Sequence, residues 1–342
     1  MANITFKPKQ VVRRLTSVLP ERPRFVIVNR FGLGDDPTRM TLESIGETYG
    51  ITRERVRQIE NFGLNAIRKS EAYKKEQAVF DELQQIVTRL GGIVHEDELL
   101  SHISSDPKIQ NDIYLLLVLG EEFTKEKETH EFKHRWMVDQ EIAEIVHESL
   151  RNVTKKLTKD DIISESEMIA EFLNHLKDIS DQYKNEEIVK RWLSLSKVIG
   201  RNPLGEWGIA ESSNINARGV RDYAFLVIRR HGSPMHFTEV ASSIEKVFGK
   251  KAHVATCHNE LIKDGRFVLV GRGLYALKEW GYETGVVKEV IKNIIKKNGP
   301  LTKEEIVAHV LKERYVKENT ISVNLQDTAI FKKDAEGRYS LV

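Results

Sequence analysis

The segment from Thr41 to Glu60, TLESIGETYGITRERVRQIE, leaves its backbone little choice. Thr41 precedes a short apolar-periodic run and can accept a hydrogen bond from a first-turn N–H, which predicts a helix from Leu42 to about Thr48. Gly50 stops that helix, because glycine enters the left-handed conformation without a side-chain penalty. Thr52 then caps another helix with Val56, Ile59, Gly63 and Ile67 on its inner face. Arg53, Glu54, Arg57, Gln58 and Asn61 fall on the outer face. Two helices joined by so tight a turn make a helix-turn-helix. Upstream, residues 9–19 and 22–31 have apolar spacings near three and four, are separated by Pro20 and Pro23, and predict a helix pair. GLGDDPTRM (32–40) is then a loop.

Beyond residue 75 the sequence repeats, most clearly in its last two copies. Apolar helices at 221–228 and 286–295 end in HGSP and NGP. Second helices are expected to start at Thr238 and at Thr302, the latter with Glu305 completing a capping box. Third helices fall near 253–263 and 319–326, and each copy closes on a hairpin pattern, FVLVGRGLYAL and AIFKKDAEGRYSLV. Tyr275 and Tyr339 then occupy equivalent places. Fainter copies at 76–139 and 140–214 place Trp136 and Trp207 there, the second with an insertion-like stretch at 180–187. The expected fold is mainly α: an N-terminal helix-turn-helix at 1–75 and tandem winged-helix modules at 76–139, 140–216, 217–280 and 281–342, each of three helices and a small β-hairpin.

The net charge of +2 hides an uneven distribution. Residues 1–75 carry +7, residues 76–216 carry −12, and residues 217–342 carry +7. Both ends can approach a phosphate backbone, whereas the acidic middle is repelled by one, so a spacer or protein-facing role is expected there. The one cysteine, Cys257, excludes an intrachain disulfide and any paired-cysteine zinc site. No run of about 18 apolar residues occurs, and the first residues lack the apolar core of a secretory signal, so a cytoplasmic protein with no membrane contact is expected.

Residues 41–60 resemble the helix-turn-helix of region 4 of the primary bacterial sigma factors, which reads the −35 promoter element, and the resemblance extends over roughly 9–70 through LPERPRFVIVNRFGL. It implies that Arg53, Glu54 and Gln58 reach base edges and that Arg55 and Arg57 hold phosphates. Their chemistry agrees: arginine can bond a guanine edge with two donors, glutamine an adenine edge, and glutamate a cytosine amino group. Thr41 and Thr52 are expected to present helix N-termini and hydroxyls to phosphates, with Arg39 as a further phosphate contact. After Glu60 the run Asn61, Phe62, Gly63 departs from that family, which usually has small residues and a basic one there, so the family's phosphate or base contact at that point is expected to be absent; Gly63 also lowers helix propensity by about 1 kcal/mol. Phe25, Val28 and Phe31 could form the groove that in that family receives a flap element of the RNA polymerase β subunit, or simply a helical core.

Nothing in 76–342 resembles the region with which complete sigma factors bind the −10 element. Residues 221–280 instead resemble the winged-helix domain of the RNA polymerase delta subunit and of domains fused to restriction enzymes, with Lys250, Lys251, Arg266 and Arg272 expected on the third helix and wing. Walker, GxSxG and HExxH motifs are absent. Glu131 with Lys133, and His130 with His134, have weak nuclease-like and metal-like spacings, and Cys257 reads as a core residue. No enzymatic step, cofactor, metal or small-molecule substrate is expected. The partners expected are double-stranded DNA and RNA polymerase. Two other readings remain open: a DNA-reading subunit of a restriction or defence system, and a polymerase accessory protein without specific DNA binding.

Overall fold

In the computed structural model, which describes residues 4–176, 183–282 and 287–342, the chain forms two compact units, Met1–Gly200 with Trp207–Ala210 and Arg201–Glu206 with Glu211–Val342. Residues 180–182 of the insertion-like stretch and Val286 of the helix expected at 286–295 lie outside the described residues. The first unit opens with α1 (Pro8–Thr16), α2 (Glu21–Phe31), α3 (Leu42–Tyr49), α4 (Arg53–Arg68) and the short α5 (Glu71–Lys75). It continues through α6 (Gln77–Arg89), β1 (Ile93–His95), α7 (Glu96–Ile103), α8 (Pro107–Leu119), β2 (Thr124–Glu126) and β3 (Arg135–Met137). Then come α9 (Gln140–Lys156), α10 (Glu165–His175), α11 (Glu186–Ser194), β4 (Ile199–Arg201) and β5 (Trp207–Ile209).

The second unit contains α12 (Val220–His231), β6 (Met235–His236), α13 (Phe237–Phe248), α14 (Val254–Lys263), β7 (Phe267–Gly271) and β8 (Leu274–Leu277). It ends with α15 (Val287–Asn298), α16 (Lys303–Glu313), α17 (Glu318–Leu325), β9 (Phe331–Lys333) and β10 (Tyr339–Leu341). Among the described residues three helices followed by a two-stranded wing occur four times, and the fold is mainly α with small β-hairpins. In the first and third copies a strand ahead of the second helix joins the wing, giving sheet orders β1-β3-β2 and β6-β8-β7. Trp136, Trp207, Tyr275 and Tyr339 all lie on the second wing strand.

Local chemistry set several helix ends as expected. Thr302 and Glu305 form a reciprocal capping box at the start of α16. Thr238 does not cap α13. That helix begins one residue earlier, at Phe237, and His236 is its N-cap, its ring nitrogen accepting from the Thr238 N–H; β6 leads directly into the helix and carries the cap with it.

The core of the first unit runs across the boundary expected at residue 75. Val11, Leu15, Ile27, Phe31 and Ile67 belong to the same apolar cluster as Phe80, Leu83, Ile113, Leu116 and Trp136. Glu76 closes α5 and opens α6, so no linker separates the helix-turn-helix from the next module. In the second unit, residues 314–315 meet the edge of β7: the Tyr315 N–H donates to Val270 O at 2.9 Å and Arg314 Nη1 to Leu269 O at 2.6 Å.

Candidate nucleic-acid interface

Side-chain caps position both helices of the helix-turn-helix. Thr41 accepts from the Ser44 N–H at 3.1 Å and Thr52 from the Arg55 N–H at 3.2 Å. Between them Gly50 takes φ +59°, and the Ile51 N–H returns to Gly46 O at 3.0 Å, closing the turn. Gly46 lets the helices meet: a Cβ there would lie 2.5 Å from Ile51 O. Val26, Ile45, Val56 and Ile59 form the small core beneath α4. Gly63, which weakens the helix locally, has a packing reason, because a Cβ there would come within 3.2 Å of the Ile27 side chain on α2. Its cost in propensity is offset by this close crossing.

That packing leaves one polar face of α4 in solvent. Arg53, Glu54, Arg55, Arg57, Gln58, Asn61 and Phe62 are all exposed. The structure therefore brings the three expected base-reading residues and two of the expected phosphate-holding arginines together on two turns of one helix. Without a ligand they pair among themselves. Arg57 grips Glu54 with two nitrogens at 2.7 and 2.8 Å, and this contact holds the Glu54 carboxyl below its ordinary range. Arg55 Nη1 donates to Gln58 Oε1 at 2.9 Å. Exposed pairs of this kind exchange readily with other partners.

Thr41 and Thr52 are exposed at the N-termini of α3 and α4, with hydroxyl protons that can still be donated. Arg39 is placed differently from expectation. It is partly buried, donates from Nε to Asn111 Oδ1 at 2.7 Å, and stacks 3.9 Å from the centroid of the Tyr114 ring, both on α8. Asn111 also donates to Gly32 O and Pro37 O, so Arg39 and the 32–40 loop are fastened to the following module. Its guanidinium braces the fold and does not join the α4 face.

The groove envisaged on α2 is largely filled from within the chain. Phe31 is 4% exposed and packs on Tyr114, and Phe25 meets Tyr49 edge-on at 5.0 Å. In the second unit Arg266 is also a structural group, bonded to Asp264 at 2.7 Å, Asp222 at 3.0 Å and Asn214 at 3.0 Å, whereas Lys250, Lys251 and Arg272 are exposed. Burial pushes the Cys257 thiol up to about 11, which suits a core residue and not a nucleophile. Glu131 is held by Arg151, and His134 accepts the Glu128 N–H. Among the described residues no group of three or more His, Cys, Asp or Glu could hold a metal ion, and no helix is long and apolar enough to cross a membrane.

Phe62 is the residue whose placement sequence reasoning left undeveloped. The signal was present: a large apolar side chain interrupts the polar face of an amphipathic helix. Asn111 and Tyr114 carried no such signal, since their partner Arg39 lies far away along the chain.

Comparison with known proteins places two domains. Residues 17–69 match the family described as Sigma-70, region 4. Residues 219–280 match the HARE-HTH family, whose description names ASXL and a restriction endonuclease HTH domain. The chain thus carries a sigma region 4 domain and, after it, a helix-turn-helix domain of the second family. It is 42% identical over 67 residues to the RNA polymerase sigma factor SigA of a Bacillus species, covering 20% of this chain and 18% of that protein. It is 45% identical over 60 residues to the RNA polymerase sigma factor RpoD of Helicobacter pylori, covering 18% of this chain and 9% of the relative. The chain spans less than a fifth of the length of these relatives.

Proposed function

We propose that this chain is a sequence-specific DNA-binding transcription protein that reads a −35-like promoter element with α4 and contacts RNA polymerase. The observation that carries this reading is the α4 face: Arg53, Glu54 and Gln58 exposed together on a sigma region 4 helix, with Arg55 and Arg57 beside them. Arg53, Glu54 and Gln58 read base edges, and Arg55 and Arg57 leave their side-chain partners for phosphates. The Thr41 and Thr52 hydroxyls and the first-turn N–H groups of α3 and α4 set the register on the duplex. The contact with polymerase is made elsewhere than through Phe31, whose ring Tyr114 covers. Promoter reading needs no covalent step, cofactor or metal.

The second family's description, which names a restriction endonuclease, supports one alternative: a DNA-reading subunit that acts for a nuclease on another chain. Selection of randomised duplexes by the full chain, followed by mapping of bound sites beside polymerase occupancy, separates the two. The promoter reading expects enrichment of one short motif and its coincidence with transcription starts. A motif found without polymerase nearby favours the restriction reading, and absence of any motif rejects both. Two phosphate contacts, at Arg55 and Arg57, predict a log–log salt slope of about −2.

A further inference from the structure

Phe62 lies on the solvent face of α4, one helical turn beyond Gln58 and two beyond Arg55, and is 59% exposed. Other rings of the first unit are paired, Phe25 with Tyr49 and Tyr73 with Phe80, but among the described residues Phe62 makes no aromatic pair. Its surroundings are not those of an apolar docking patch. Phe62, Ile59 and Pro23 line a shallow concavity together with Arg22, Arg55 and Gln58, so it combines apolar surface with two guanidinium groups and a carboxamide. That combination fits a ligand with a small apolar feature close to anionic groups.

Duplex DNA has one such feature in its major groove, the C5-methyl group of thymine, flanked on both sides by phosphates. We infer that Phe62 contacts a thymine methyl group beside the base pair read by Gln58, and so selects thymine over cytosine at that position. The inference rests on the proposed reading of DNA by α4. Distances along the two helices agree with it. One α-helical turn advances about 5.4 Å, and successive base pairs are about 3.4 Å apart, so Phe62 reaches one or two pairs from Gln58. If Gln58 pairs with an adenine, the methyl group of that adenine's own partner also lies on the same groove edge.

The test uses the full chain and the duplex it enriches from a random pool, with each thymine replaced in turn by deoxyuridine, which removes one methyl group. The wild-type chain is expected to lose about fourfold in affinity at one position, the worth of one buried methyl group, and nothing elsewhere. Phe62→Ala should bind the thymine and deoxyuridine duplexes alike at that position, while Phe62→Leu keeps part of the difference. Gln58→Ala should keep the methyl sensitivity although it binds more weakly. A flat scan by the wild-type chain on a duplex it clearly prefers overturns the inference and leaves the DNA reading standing. An F62A chain with the same methyl sensitivity as wild type, or one unchanged on every duplex but defective in binding polymerase, overturns it as well. If no duplex is preferred at all, the DNA reading itself fails and takes this inference with it.

Discussion

Helices α4 and α14 each follow a helix closed by a left-handed glycine, Gly50 and Gly249, yet their solvent faces have little in common. α4 exposes Arg53, Glu54, Arg55, Arg57 and Gln58, whereas α14 exposes Val254, Ala255, Thr256, Asn259 and Ile262, with Lys263 only at its end. Of the basic groups around α14, Arg266 is bound to Asp222 and Asp264, and Lys250, Lys251 and Arg272 are exposed but lie outside the helix. α17 carries neither lysine nor arginine. A shared helix-turn-helix plan therefore says little about which copy touches nucleic acid; the side chains on the exposed turns decide it. On that ground the proposed reading places base recognition on α4 and not on α14 or α17.

The largest expected effect concerns the platform under α4. Phe80 lies outside the sigma-like segment but is fully buried in the same core as Leu15 and Ile67. Phe80→Ala should cost about 3–5 kcal/mol in a thermal or urea melt of the full chain, and DNA binding should be lost as that transition is reached. A separate, unchanged transition for the helix-turn-helix would show that the small core of Val26, Ile45, Val56 and Ile59 holds α4 without the larger core that Leu64 and Ile67 share with Phe80.

Asp112 on α8 tests the same platform through pH. Burial raises its carboxyl from 3.8 to about 6, partly opposed by Lys9. A raised folded value means that the stability due to this group is complete below the unfolded value near 4 and is lost as pH rises through about 6. Asp112→Asn should therefore stabilise the chain by about 1–3 kcal/mol at pH 8, with the gain shrinking toward pH 4. A pH-independent difference between the two melting curves would contradict this account.

Reading itself is tested next, with both helices side by side. Arg53→Ala or Gln58→Ala should weaken binding to the preferred duplex by about 1–3 kcal/mol, with much less change on random DNA. Thr256→Ala and Asn259→Ala on α14 should leave the same site within about twofold, because neither is expected in a groove. Comparable losses from the α14 variants in a binding titration would abolish the contrast between the two helices.

The smallest effect separates holding from reading on α4. Glu54 occupies both nitrogens that Arg57 would offer a phosphate, so Glu54→Ala should raise affinity for random duplex about threefold while narrowing the preference for the selected site. Unchanged binding to random DNA would mean that the Glu54–Arg57 pair does not compete with phosphate.

The helix-turn-helix and the wings were legible in the sequence because their causes are local. A threonine hydroxyl reaches an N–H three residues on, Gly50 turns its own backbone, and a hairpin such as GRGLYAL carries its turn between its strands. For the same reason the exposed face of α4 could be read directly from its helical period. The fates of Arg39 and Arg266 could not, since each looks like a free basic residue until Asn111 and Tyr114, or Asp222 and Asn214, arrive from distant parts of the chain. The continuity across residue 75 has the same origin: nothing local marks it, and only the packing of α8 against α1, α2, α4 and α6 gathers these helices on one core. Caps, turns and periodicity act over a few residues and so are written in the sequence, whereas burial and charge pairing depend on which distant segments come together, and only the tertiary structure decides that.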